Sequence, residues 1–155
     1  MATVHDVAAY ILQQQGSTTT MKLQKLCYYS QGWHLAWDEE PLFQEDFQSW
    51  KSGPVCYELF EEHKGLLTVS NLPKGNPNAL TVGEKETVDA VLENYRDYTG
   101  MEMNQKARME RPWIEAREDC KPGTQCEAVI SKDTMQDFFA GLAQEDRGDQ
   151  KPQNG

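Results

Sequence analysis

The sequence predicts a mainly α-helical fold: a single compact helical domain with a central buried helix and a short β-hairpin or small sheet. Three observations carry this. Apolar residues recur at helical spacing over most of the chain, between recognisable caps. One stretch, Met21 to Trp37, is apolar almost all round. Period-two alternation occurs in one place, Phe43 to Trp50, and is followed by a turn. The 155 residues suit one domain, and four Trp, six Tyr and five Phe supply large units of burial.

In order, Thr3 caps a first helix, with Asp6 completing a capping-box pattern, and Val4, Val7, Ala8, Ile11 and Leu12 form its apolar face. Gly16 ends it, and 17–20 form a polar break. The helix from about Met21 to Trp37 carries Leu23, Leu26, Cys27, Ser30, Trp33, His34 and Trp37 on one stripe, widened by Tyr28, Tyr29 and Leu35, which marks it as central. Asp38 to Pro41 close it. Phe43, Glu45, Phe47 and Ser49 then alternate with Gln44, Asp46, Gln48 and Trp50 in a strand or extended segment. A tight turn at 51–54 leads to a helix from Val55 to Lys64, stopped by Gly65. The segment 66–80 is a loop with a brief strand at Leu66 to Val69. Thr81 and Glu84 box the start of a helix that ends near Gly100, and another spans Met101 to Glu110. Ile114 to Glu118 adds a turn, 121–125 is a loop, and Ser131 caps a last helix with Met135, Phe138, Phe139 and Leu142 on its apolar face. The expected domain covers 1–143, and 144–155 is a polar tail expected to be disordered.

The net charge of −10 disfavours direct nucleic-acid binding, which depends on Lys and Arg displacing counterions. It favours encounter with a basic protein partner, or serves solubility alone. No apolar run approaches the roughly 20 residues of a membrane span. Met1 leads into a polar amphipathic stretch rather than a leader, so a cytoplasmic location with Cys27, Cys56, Cys120 and Cys126 all reduced is the expectation.

Catalytic signals are weak. The glycines do not form a phosphate loop, and no serine sits in a nucleophile elbow. Cys120 and Cys126 lack zinc spacing, and Cys56 with His63 and His34 makes a poor ligand set, so neither metal nor cofactor is expected. His34 reads as a core histidine bonded to a backbone carbonyl or a carboxylate. Trp33 and Trp37 read as core, whereas Trp50 and Trp113, beside Pro54 and Pro112, are either core or anchors for a partner. The physics of the residues therefore signals catalysis only weakly and merely permits binding; on its own it stops at a soluble helical domain not expected to be an enzyme.

The run from Met21 through Lys22, Leu23, Gln24, Lys25, Leu26, Cys27, Tyr28, Tyr29, Ser30, Gln31, Gly32, Trp33, His34 and Leu35 to Ala36 closely resembles the signature helix of the Panacea antitoxin domain, known from SocA-like and GepA-like phage-associated proteins. Pro41-Leu42-Phe43 leading to Trp50-Lys51-Ser52-Gly53-Pro54-Val55 resembles that family's hairpin and Trp-Lys-x-Gly-Pro turn. Glu110-Arg111-Pro112-Trp113, with Ala116 and Arg117, resembles its closing Pro-Trp motif. The family often carries a Thr-His pair before that motif, and this chain has Ala107 and Arg108 there.

The resemblance implies a bacterial or phage antitoxin without enzymatic activity, whose partner is a cognate toxin protein. Many toxins of such pairs stop translation, including alarmone-synthetase-like enzymes that modify tRNA. Neutralisation by direct contact is the expectation, and the alternative is a proteolytic adaptor that delivers the toxin to a protease. A homo-oligomer, or a symmetric hetero-oligomer with the toxin, would be ordinary. The motif candidates are Lys25, Tyr28, Gln31, Trp50, Lys51, Gly53, Pro54 and Trp113. Lys25, Tyr28, Gln31 and Lys51 either build an internal hydrogen-bond network that fixes the turn at Gly53-Pro54 or touch the toxin. Gly53 is assigned a special backbone conformation, with Pro54 starting the next helix.

Overall fold

A computed structural model describes residues 1–145 and is mainly helical with two small antiparallel sheets. The central helix, α2 (Thr20–Asp38), is buried along nearly its whole length from Leu23 to Leu35. It is surrounded by α1 (Val4–Gln15), α3 (Tyr57–His63), α4 (Val82–Asn94), α5 (Gly100–Arg108) and α7 (Lys132–Glu145), and α6 (Arg111–Ala116) packs on α5 and α7. The most extensive packing of α2 is against α7. A Cβ built on Gly32 would lie 2.2 Å from the Phe139 ring, so only glycine lets the two axes come this near. Around that point Tyr28, Tyr29, Trp33 and Phe139 pack edge to face. Leu23, Leu26 and Cys27 are fully buried, as their stripe requires.

The capping boxes at Thr3 with Asp6 and Thr81 with Glu84 form as the sequence predicts, and Ser131 accepts from the Thr134 N–H. Thr19 caps α2 by accepting from the Lys22 N–H. His34 ties off the end of α2: its Nδ1 lies 2.8 Å from the Glu40 carbonyl and its Nε2 3.1 Å from Asp38.

Several boundaries differ from expectation. Only Gln48–Trp50 of the alternating stretch is a strand (β2); residues 43–47 keep alternating burial but form an irregular segment with a bend at Gln44. Its mate is β3 (Gly53–Val55), so Pro54 belongs to a strand, and α3 starts at Tyr57 rather than at Val55. The polar break holds a two-residue strand, Thr18–Thr19 (β1), paired with Thr68–Val69 (β4). α4 stops at Asn94, and α5 begins earlier than expected because Thr99 and Glu102 form a third capping box. α7 includes Gln144 and Glu145, and the rest of the expected tail lies outside the described residues.

The expectation of four reduced thiols is corrected. Cys120 and Cys126 are joined by a disulfide across the loop between α6 and α7, while Cys27 and Cys56 are free and buried. Their six-residue separation lets a tight loop bring the sulfurs together. Among the described residues, no helix is long and apolar enough to cross a membrane.

Candidate functional site

The motif residues divide into an inner set and an outer set. Lys25, Tyr28 and Gln31 lie in the core on α2, each 2% exposed or less. Gln31 uses both ends of its carboxamide: Nε2 donates to the Phe43 carbonyl (2.8 Å) and Oε1 accepts from the Leu42 N–H (2.7 Å). It therefore fixes the chain just after α2, not the turn at Gly53-Pro54. Two helical turns earlier on the same face, Gln24 does the same for Cys56, donating to its carbonyl (3.1 Å) and accepting from its N–H (2.9 Å). Gln24 Nε2 also lies 3.0 Å from His63 Nε2, and burial pushes the His63 pKa down, which favours the neutral ring that can accept from the amide. The two glutamines thus hold both ends of one excursion of the chain, residues 42–56, on the central helix.

Gly53 sits within that excursion at φ 140°, in backbone space that favours glycine. A Cβ there would lie 2.4 Å from Asn104 Oδ1 and 3.3 Å from Lys25 Cε, so α2 and α5 both press on the hairpin at this point. Lys25 forms no ion pair among the described residues, and burial pushes its pKa down to about 7. Tyr28 contributes its ring rather than its hydroxyl, which has no hydrogen-bond partner among the described residues.

The outer set is the hairpin tip and its support. Trp50 and Trp113 are half-buried and Lys51 is exposed. Trp113 Nε1 donates to the Trp50 carbonyl (2.9 Å), and Trp50 Nε1 donates to Gln48 Oε1 (2.6 Å). The Trp50 ring meets Phe60 edge to face at 5.1 Å. The Arg117 guanidinium lies 4.9 Å from the Trp113 ring centre and donates to the carbonyls of Ser49 and Thr124. The structure thus brings Trp113 onto Trp50, beside Lys51, while Lys25, Tyr28 and Gln31 lie in the core along α2, of which only Lys25 reaches the hairpin, at Gly53.

Sequence reasoning missed Gln24, whose signal was its two-turn spacing from Gln31 in an apolar helix. It also missed Glu110 as a buried acid: the Tyr29 hydroxyl donates to it (2.8 Å), and burial pushes its pKa up to about 7. Ala107, where the Thr-His pair would begin, is buried, and Arg108 faces solvent. Met101 on α5 and Met109 just after it are largely exposed, and Met109 lines a shallow cleft with Tyr98, Glu102, Gln105, Lys106 and Glu110. Among the described residues, no three His, Cys, Asp or Glu side chains gather as a metal site.

A family model described as antitoxin SocA-like, Panacea domain, matches residues 23–114, more than half of the chain. The matched span runs from the core of α2 through the hairpin to α6, so it contains both glutamine clamps and Trp113. No match is found among curated proteins or among solved structures.

Proposed function

Because the chain belongs to the SocA-like antitoxin family with a Panacea domain, we propose that it neutralises a cognate toxin protein in the cytoplasm by direct binding and acts without catalysis. The observation that carries this is the family match itself, over the helix, hairpin and Pro-Trp segments that build one framework. In this reading the framework is a rigid body, and the tip formed by Trp50, Lys51 and Trp113 meets the toxin and covers its working surface. Half-buried tryptophans held by hydrogen bonds suit such a role, because an anchor that is already ordered loses little entropy on binding. The toxin we infer is one that handles RNA or nucleotides, such as an alarmone-synthetase-like enzyme. Its basic cleft would be drawn to a chain of net charge −10.

The test is co-expression with the product of the adjacent gene in cells lacking the candidate proteases. A stable complex with growth restored is the expected result. No complex, with growth inhibited until a protease is returned, would replace sequestration by the adaptor mechanism. A harmless neighbour would remove the antitoxin reading. Given a complex, Trp50→Ala weakens it at least tenfold if the tip is the contact, with helical content unchanged.

A further inference from the structure

We propose that Cys120 and Cys126 form a reversible thiol–disulfide exchange site, with dithiols as its reactants, and that its state decides whether the loop behind Trp113 is closed or open. The inference goes beyond toxin binding and does not depend on it.

The disulfide joins the end of the α6 turn to the segment that runs alongside β2. Cys120 N donates to the Arg117 carbonyl at 2.9 Å, and Thr124 donates to the Lys121 carbonyl through both its N–H (3.2 Å) and its hydroxyl (2.7 Å). These bonds curl the loop so that the Thr124 carbonyl meets the Arg117 guanidinium. Arg117 also holds the Ser49 carbonyl and lies on the Trp113 ring, which holds the Trp50 carbonyl. Beyond Cys126, Ala128 accepts from both the N–H (2.8 Å) and the hydroxyl (2.9 Å) of Ser49. A short chain of contacts therefore runs from the disulfide to the hairpin tip through Arg117 and Ser49.

The two sulfurs differ in access. Cys120 is partly exposed and Cys126 is 5% exposed. An incoming thiolate therefore attacks Cys120 Sγ. The S–S bond breaks, a mixed disulfide forms at Cys120, and Cys126 leaves as a thiolate that takes up a proton. The second thiol of the reductant then displaces Cys120, which leaves as a thiol, and the reductant becomes a cyclic disulfide. Two electrons and two protons pass to the chain, and an oxidised dithiol reverses the sequence. Glu118, Asp119 and Glu127, all exposed and next to the cysteines in sequence, disfavour anionic thiols over neutral ones. Cys27 and Cys56 are fully buried, so exchange is confined to this loop. In a reducing compartment such a pair opens and closes with the redox state rather than serving as a permanent staple. A ring this short constrains the unfolded chain less than a longer one would, and the loop it closes lies outside the core around α2, so its opening frees the loop and leaves the domain folded.

The full chain is equilibrated in buffers of varied reduced-to-oxidised dithiothreitol ratio. It is then alkylated without denaturant for mass analysis, and its amide hydrogen exchange is followed in parallel. At oxidising ratios Cys120 and Cys126 are joined. At reducing ratios both are alkylated while Cys27 and Cys56 stay unlabelled, and exchange in 118–128 and at Ser49 speeds at least tenfold with α2 unchanged. Cys120→Ser matches the reduced chain at every ratio. Failure of the disulfide to form at any ratio would overturn the proposal. So would identical exchange in the two states, labelling of Cys27 or Cys56 on reduction, or a redox response in Cys120→Ser.

Discussion

Replacing Gln31 by leucine removes a side chain of similar size whose two polar ends are both bonded inside the core. Leu42 and Phe43 are fully buried, so no water reaches the N–H and carbonyl that Gln31 leaves behind. Each orphaned group costs about 1–3 kcal/mol, partly offset by burying an apolar side chain in place of an amide. The expected loss is about 3 kcal/mol, which in a domain of this size lowers the melting temperature by roughly 6–12 °C. Gln31→Glu sharpens the test. Its carboxylate can still accept from Leu42 but repels the Phe43 carbonyl; only the protonated acid can donate there. The neutral form is favoured in the folded state, so the folded pKa lies above the unfolded value of about 4.3. Stability is then fully present below that value and is lost as pH rises through the folded pKa. Thermal unfolding followed by circular dichroism between pH 4 and pH 8 measures both variants. A loss under about 0.5 kcal/mol in Gln31→Leu, or a Gln31→Glu variant with the same pH profile as the parent, would refute the clamp. Gln24→Leu gives a comparison about 10 Å along the helix. The double variant is additive within about 0.5 kcal/mol if the hairpin does not couple the two ends.

Three further outcomes follow from the same contacts. Gly53→Ala forces a Cβ to within 2.4 Å of Asn104 Oδ1 at φ 140°, and chemical denaturation should show a loss of about 2–4 kcal/mol. Lys25, with its pKa lowered to about 7 by burial, favours the folded state only when neutral. Parent stability therefore climbs between pH 7 and the unfolded value of about 10.4, whereas Lys25→Met lacks this slope and is more stable at pH 7 by on the order of 2–4 kcal/mol. Glu110 has the opposite sign. Its pKa is raised to about 7, so its contribution is complete below about 4.3 and fades as pH rises to 7. Glu110→Gln keeps an acceptor for the Tyr29 hydroxyl and should flatten that part of the profile in pH-dependent denaturation.

Features written in neighbouring residues were legible in the sequence. The boxes at Thr3 with Asp6 and Thr81 with Glu84 need only a three-residue spacing, and the all-round apolar character of α2 announces its central place. Features that depend on distant partners were not. Thr18 and Thr19 form a strand only because Val69 and Thr68 lie opposite, and two residues carry no periodicity. β3 took Gly53 to Val55 from the expected turn and helix because Gln48 to Trp50 pairs with it. The motifs did single out Gln31, Trp50 and Trp113. That Gln31 faces inward, and that Trp113 reaches the Trp50 carbonyl, are facts of packing between elements more than sixty residues apart in one case and of a buried amide in the other. The disulfide was misjudged for a different reason, since the thiols were assigned from the expected compartment rather than from their local spacing.

Because residues 42–56 leave α2 at one glutamine and return to it at another, the excursion has both feet on a single post. Ser52, at its far end, can change in size or charge without altering either footing, since the bonds that fix the feet run to main-chain atoms and ignore which side chains lie between. If the tip meets the toxin, as proposed above, one scaffold can be retuned toward new targets there, and foldability and target choice become separate problems for the same polypeptide.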